Sequence, residues 1–112
     1  MHSLDYSRPT YLHYTDGGNA LLMPENGENC LRIAAVKSGT LDNVQLSNEI
    51  AFLSSDDGEV RAGLGLDFFI KTKISGVPAW IFDNHNHALY FWYEARKKGY
   101  IQNGATLVHI DM

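Results

Sequence analysis

A short apolar run that empties into a carboxylate and two imidazoles constrains this chain more than any other feature. The sequence reads Pro78-Ala79-Trp80-Ile81-Phe82 and then Asp83-Asn84-His85-Asn86-His87-Ala88. A nearly continuous apolar run is expected of a strand covered on both faces. Residues 86 to 98 then read as a helix, with Ala88, Phe91, Trp92 and Ala95 forming one apolar stripe at i, i+3, i+4 and i+7. Asn84 or Asn86 suits its start, Lys97 and Lys98 suit the negative end of its dipole, and Gly99 suits the left-handed stop. A second buried strand is predicted over Thr106-Leu107-Val108-His109-Ile110. Strand, helix and strand make a βαβ unit, whose crossover should be right-handed and whose strands should be parallel.

The region before Pro78 has another character. Thr10 to Tyr14, Ala20 to Met23 and Leu31 to Val36 are short apolar segments separated by turn signals. The third has no decisive period and fits a strand or one short helix. Residues 49–54 and 60–66 flank Asp56-Asp57-Gly58, and Asp-Gly between two apolar runs predicts a β-hairpin. Residues 67–71 read as an extension of its second strand, and Ser75-Gly76-Val77-Pro78 reads as a turn. The expected fold class is therefore α/β within one domain over 1–112. A β-rich, antiparallel region covers 1–76 and the βαβ unit covers 77–112.

Bulk properties exclude several classes. At 112 residues, with 45% apolar and 20% charged, the composition is that of one small globular domain. A formal charge of −4 disfavours nucleic acid or an anionic membrane as partner, because both call for a basic face. No apolar run reaches the roughly 18 residues of a membrane span, and Met1 to Tyr6 carries no secretion pattern. Cys30 is the single cysteine, which fits a reducing cytoplasm.

Ligands in parallel α/β sheets bind outside the carboxyl ends of the strands. Asp83, His85 and His87 leave one such end, and His109 and Asp111 occupy the next. His109 and Asp111 are two apart, so they share a face of an extended chain. Imidazole mixed with carboxylate suits Mn, Fe, Zn or Ni better than Ca or Mg. The bland alternative is that Asn84 to His87 form only a capping loop. Gly63-Leu64-Gly65-Leu66 reads as a bulge or close packing rather than a phosphate loop. Trp80, Phe91 and Trp92 read as core.

The stretch from Ile81 to Ala88, the aromatic helix with Trp92, and Ala105 to Asp111 together resemble the core of the UPF0489 family. The resemblance covers residues 78–112, roughly a third of the chain. It implies a ureohydrolase-like three-layer α/β/α sandwich, similar to arginases and histone deacetylases. Some bacterial members are peptide arginases, which convert arginine in a peptide to ornithine and release urea. The substrate class implied is an arginine-containing peptide or a small guanidino compound.

The resemblance also implies a centre of two Mn²⁺ ions, which would make hydroxide available near neutral pH by lowering the pKa of bound water. Asp111 matches the first acid of the fold's Asp-x-His-x-Asp motif and Met112 matches its x. The motif's His and second acid are absent, so a truncated, inactive N-terminal portion is expected. His85, or else His87, matches the histidine that binds one manganese after a strand, and Asp83 stands beside them as a further metal ligand. His87 and His109 are the candidates for moving a proton or orienting a ligand. An open edge at the second strand would favour homo-oligomers. The rival expectation is a small non-catalytic binding or assembly module on a βαβ scaffold.

Overall fold

The computed structural model describes residues 6–13, 30–54, 58–59 and 61–111. Among them the chain is mixed α/β, mostly strands with one α-helix. The strands are β1 (Thr10–His13), β2 (Cys30–Ile33), β3 (Val36–Ser38), β4 (Leu46–Ser54), β5 (Arg61–Leu66), β6 (Phe69–Ile74) and β7 (Val77–Ile81). The helix is α1 (Ala88–Lys97), preceded by a 3₁₀ turn over His85–His87. The segment expected as a strand at Ala20 to Met23 lies outside the described residues.

Three small sheets result. β1 and β2 pair antiparallel, as do β4 and β5, while β3, β6 and β7 form a third sheet in that order. The β4–β5 pairing is the hairpin that Asp57-Gly58 predicts, and Gly58 has the positive φ of 84° that such a turn uses. Residues 67–68 bend instead of extending β5, so Phe69 starts a new strand. β6 and β7 are joined by Ser75 and Gly76, both at positive φ, which is the two-residue hairpin loop. Ile74 and Val77 close that loop as a hydrogen-bonded pair, so the next pair, Lys73 and Pro78, is not hydrogen-bonded. The missing N–H of Pro78 therefore falls on the free edge of β7 and costs the ladder nothing.

The expected βαβ unit is not formed. β7 runs antiparallel to β6, and the parallel pairing among the described residues is β3 with β6. Residues 105–111 carry no strand, and Leu107, Val108 and Ile110 are 65%, 76% and 86% exposed. The physical reason is the lack of a partner. Alternating apolar residues make a good strand only beside another backbone, and the free edge of β7 lacks the donor at Pro78.

The helix follows its sequence closely. Phe91 and Ala95 are buried and Ala88 is half-buried, but Trp92 is 47% exposed, so it is not the core residue that the stripe suggests. The helix ends in a Schellman motif: Tyr100 N–H donates to Ala95 O at 2.8 Å and Gly99 N–H to Arg96 O at 3.0 Å, with Gly99 at φ 78°.

The core sits between α1 and the β3–β6–β7 sheet and is largely aromatic. Phe69, 1% exposed, packs edge-on against Phe82 and Phe91, and Phe91 stacks on Phe82 and Trp80. Burying a ring like Phe69 is worth roughly 1.5–3 kcal/mol. The Tyr6 ring enters the same cluster from the N-terminal side, stacked on Tyr90 at 4.0 Å.

Arg32 on β2 ties the β4–β5 hairpin to this core. Its guanidinium donates to Leu66 O and Asp67 O, both at 2.9 Å, and meets the Glu49 carboxylate at 2.8 Å. Arg32→Ala would strand two carbonyls and is expected to cost about 2–3 kcal/mol, the range for charge-assisted hydrogen bonds. Arg32→Lys should recover only part, because a single ammonium nitrogen lacks the planar fork whose three nitrogens reach these acceptors separately. Urea denaturation checks this through a lower midpoint at unchanged slope.

Candidate functional site

The residues singled out in the sequence separate into two neighbouring environments. Both begin where β7 ends. One is a buried hydrogen-bonded chain, and the other is an open cavity.

The buried chain centres on His87, which is 5% exposed among Tyr6, Phe69, Phe82 and Phe91. The Tyr6 phenol lies 2.9 Å from His87 Nδ1. Asp83 Oδ1 lies 3.6 Å from His87 Nε2. A phenol donating to Nδ1 leaves the ring proton on Nε2, the nitrogen that faces the carboxylate. Burial holds the His87 pKa below the ordinary imidazole value, and the nearby Asp83 charge opposes this without overcoming it. Burial likewise raises the Tyr6 phenol, helped by Tyr90 and Asp83.

Asp83 is engaged on both oxygens. Oδ2 accepts the Leu66 N–H at 3.0 Å and Oδ1 accepts the Asn84 N–H at 2.7 Å. Gly65 is bare for the same reason: a Cβ there would overlap Asp83 Oδ2 and the Ala51 Cβ.

The cavity, of ≈ 610 Å³, is lined by Phe82, His85, Ala88 and Trp92 on one side. Leu107, Val108, His109 and Asp111 line it on the other. Ala88 and Trp92 are one helical turn apart and present one surface. The segment after α1 brings His109 and Asp111 to the same hollow as His85. The structure thus gathers three of the five expected site residues, and it places Asp83 and His87 elsewhere, behind the cavity wall and in the core. His87 there is shielded by aromatic rings, a setting unlike that of a proton shuttle open to substrate.

The donor types at the cavity, imidazole and carboxylate, are those used by the metal centre that the resemblance implies. Their number and closure fall short of a complete centre. Among the described residues no three or more His, Cys, Asp or Glu side chains converge to hold a metal ion. No catalytic step through a metal follows from these residues alone.

Two contributions were not visible in the sequence. Tyr6 lies 81 positions from His87, and no local pattern connects them. Trp92 fits the apolar stripe of α1 yet faces the cavity. No family model matches the chain, and neither a curated protein nor a solved structure shows significant similarity to it. No helix among the described residues is long and apolar enough to cross a membrane.

The buried imidazole makes stability depend on pH. The unfolded chain takes up a proton at His87 near the ordinary value of about 6.5, and the folded chain does so only at lower pH. Below about pH 6.5 the unfolded state therefore binds more protons, and stability falls as pH drops toward the folded value. Above about pH 6.5 the group has no effect on the slope. Urea midpoints measured from pH 7.5 to 5 should fall in the acidic half. In His87→Leu that part of the slope should vanish, at a cost of about 1–3 kcal/mol for the stranded phenol.

Proposed function

We propose that this chain is the N-terminal part of a metal-dependent, arginase-like hydrolase acting on guanidino groups, in arginine or in arginine-containing peptides. It supplies one wall of the site and is inactive alone. In this reading His85 and Asp111 are the metal-facing donors, His109 orients them or carries a proton, and the three-layer sandwich is completed by elements beyond those described. The observation that carries the proposal is that His85, at the end of β7, shares a cavity with His109 and Asp111 although no strand pairing brings them together. The resemblance of residues 78–112 to the UPF0489 core supplies the reaction class.

A second reading, an assembly or binding module without catalysis, is favoured by one observation. Leu107, Val108 and Ile110 stand in solvent on a backbone that makes no ladder among the described residues. Such a segment is suited to pairing with another strand.

The two readings differ in what the cavity holds. Mn²⁺ titrated alone into the purified chain, followed by electron paramagnetic resonance of the free ion, should show one weak site. His85→Ala or Asp111→Asn should abolish it, and the exposed Tyr93→Phe should leave it unchanged. Urea release from arginine peptides should be absent in every case. A chain that takes up no Mn²⁺, or whose uptake survives both substitutions, supports the assembly module instead.

A further inference from the structure

We infer that Asp83 is a clamp and not a ligand, and that with His87 and Tyr6 it forms a positioning chain for His85. The inference rests on the proposed reading only in taking His85 as the donor that matters.

Both Asp83 oxygens are committed to backbone N–H groups, one from Leu66 at the end of β5 and one from Asn84 just before His85. The carboxylate also packs into the space that Gly65 leaves open, and Asp83 is not among the residues lining the cavity. Turning it toward the cavity would break two charge-assisted hydrogen bonds, each worth about 1.5–3 kcal/mol. A ligand role would begin with that loss.

The same bonds bracket His85. On its N-terminal side the peptide of Asn84 is fixed by Asp83. On its C-terminal side the His87 N–H donates to Asn84 O at 3.0 Å, closing the 3₁₀ turn, and the His87 ring is held in the core by the Tyr6 phenol at 2.9 Å. His85 is exposed and its ring makes no hydrogen bond among the described residues, so its backbone frame decides where its ring points. Tyr6 is itself anchored, since the Val36 N–H donates to Tyr6 O at 2.8 Å. The line of contact runs from β3 through Tyr6, His87 and Asp83 to the end of β5. None of these three residues lines the cavity. This makes Tyr6 a positioning residue although it lies outside every motif.

The test uses the full chain, isotope-labelled and free of metal. Side-chain nitrogen spectra of the wild type should show His87 with its proton on Nε2. Tyr6→Phe keeps the ring and removes only the hydroxyl. It should move His87 toward a mixture of tautomers and shift or broaden the His85 ring signals. Asp83→Asn should shift the His85 signals in the same direction and further, and Tyr93→Phe should leave them in place.

A second arm adds Mn²⁺ alone and reads the broadening of His85. Tyr6→Phe should weaken the apparent affinity by about tenfold, the lower end for groups that orient a ligand from behind. The inference is overturned if Tyr6→Phe folds with unchanged His85 signals, or if the wild-type His87 proton sits on Nδ1. It is also overturned if Asp83→Asn alone abolishes the Mn²⁺ response, which is the behaviour of a ligand. Unfolding of both variants would reduce the chain to a stability element and sink the positioning role. A wild type that does not respond to Mn²⁺ counts against the hydrolase reading, and the metal-free comparison still decides the clamp.

Discussion

An imidazole buried in an aromatic core must find partners for both ring nitrogens, and most of this molecule is organised around meeting that demand. An unpaired polar group in such a setting costs about 1–3 kcal/mol. His87 Nδ1 meets the Tyr6 phenol at 2.9 Å, and the Asp83 carboxylate lies 3.6 Å from Nε2, close enough for electrostatic attraction but beyond a hydrogen bond. The phenol brings in the N-terminal segment through Tyr6, and the carboxylate brings in the end of β7. The ring itself opens α1, whose Phe91 packs on the same cluster. Asp83 and His87 are four residues apart, but Tyr6 lies 81 positions from His87, so the arrangement needs the N-terminal segment docked on the sheet and helix.

Leu66 links this centre to the hairpin. Its N–H is held by Asp83 and its carbonyl by Arg32. One backbone unit at the end of β5 thus joins the core carboxylate to the guanidinium that crosses from β2. Arg32 is nearly buried, at 9% side-chain exposure, and is neutralised by Glu49 at 2.8 Å and, more distantly, Asp67 at 3.6 Å. The two charges that matter to the fold, Asp83 and Arg32, therefore meet at Leu66 without pairing with each other. Each is satisfied mainly by backbone groups, which ties separate sheets together in a way that a direct ion pair would not.

Local features of the fold were legible, and features that depend on partners were not. The Asp-Gly hairpin, the Ser75-Gly76 turn, the helix and its Gly99 stop each rest on the conformational preferences of a few adjacent residues. The strand expected near Leu107 rested on an apolar pattern, and such a pattern needs a neighbouring backbone to become a strand. The parallel pairing of β3 with β6 was not foreseen either. Val36 to Ser38 is three residues long, and its register with Phe69 to Lys71 is decided by the Phe69 N–H donating to Ala35 O at 2.8 Å. At the site, the strand end and its histidines were visible as a motif. The division of labour among them was not.

That division follows from helical phase. Asp83, His85 and His87 alternate in sequence, and on an extended chain they would share a face. The chain instead turns into a 3₁₀ segment at His85, where positions three apart eclipse and positions two apart diverge. His85 and His87 must then point in different directions, and the core takes one while the cavity keeps the other. His87 has a hydrophobic surround and the Tyr6 phenol within reach, so the inward direction falls to it. Asp83, four residues before His87, is held on the same side by the Leu66 and Asn84 N–H groups, 3.6 Å from the imidazole. A pattern that reads as five convergent site residues thus resolves into an inner pair that holds the turn and an outer set that faces the cavity. The switch from extended to 3₁₀ backbone at a single residue is what separates them.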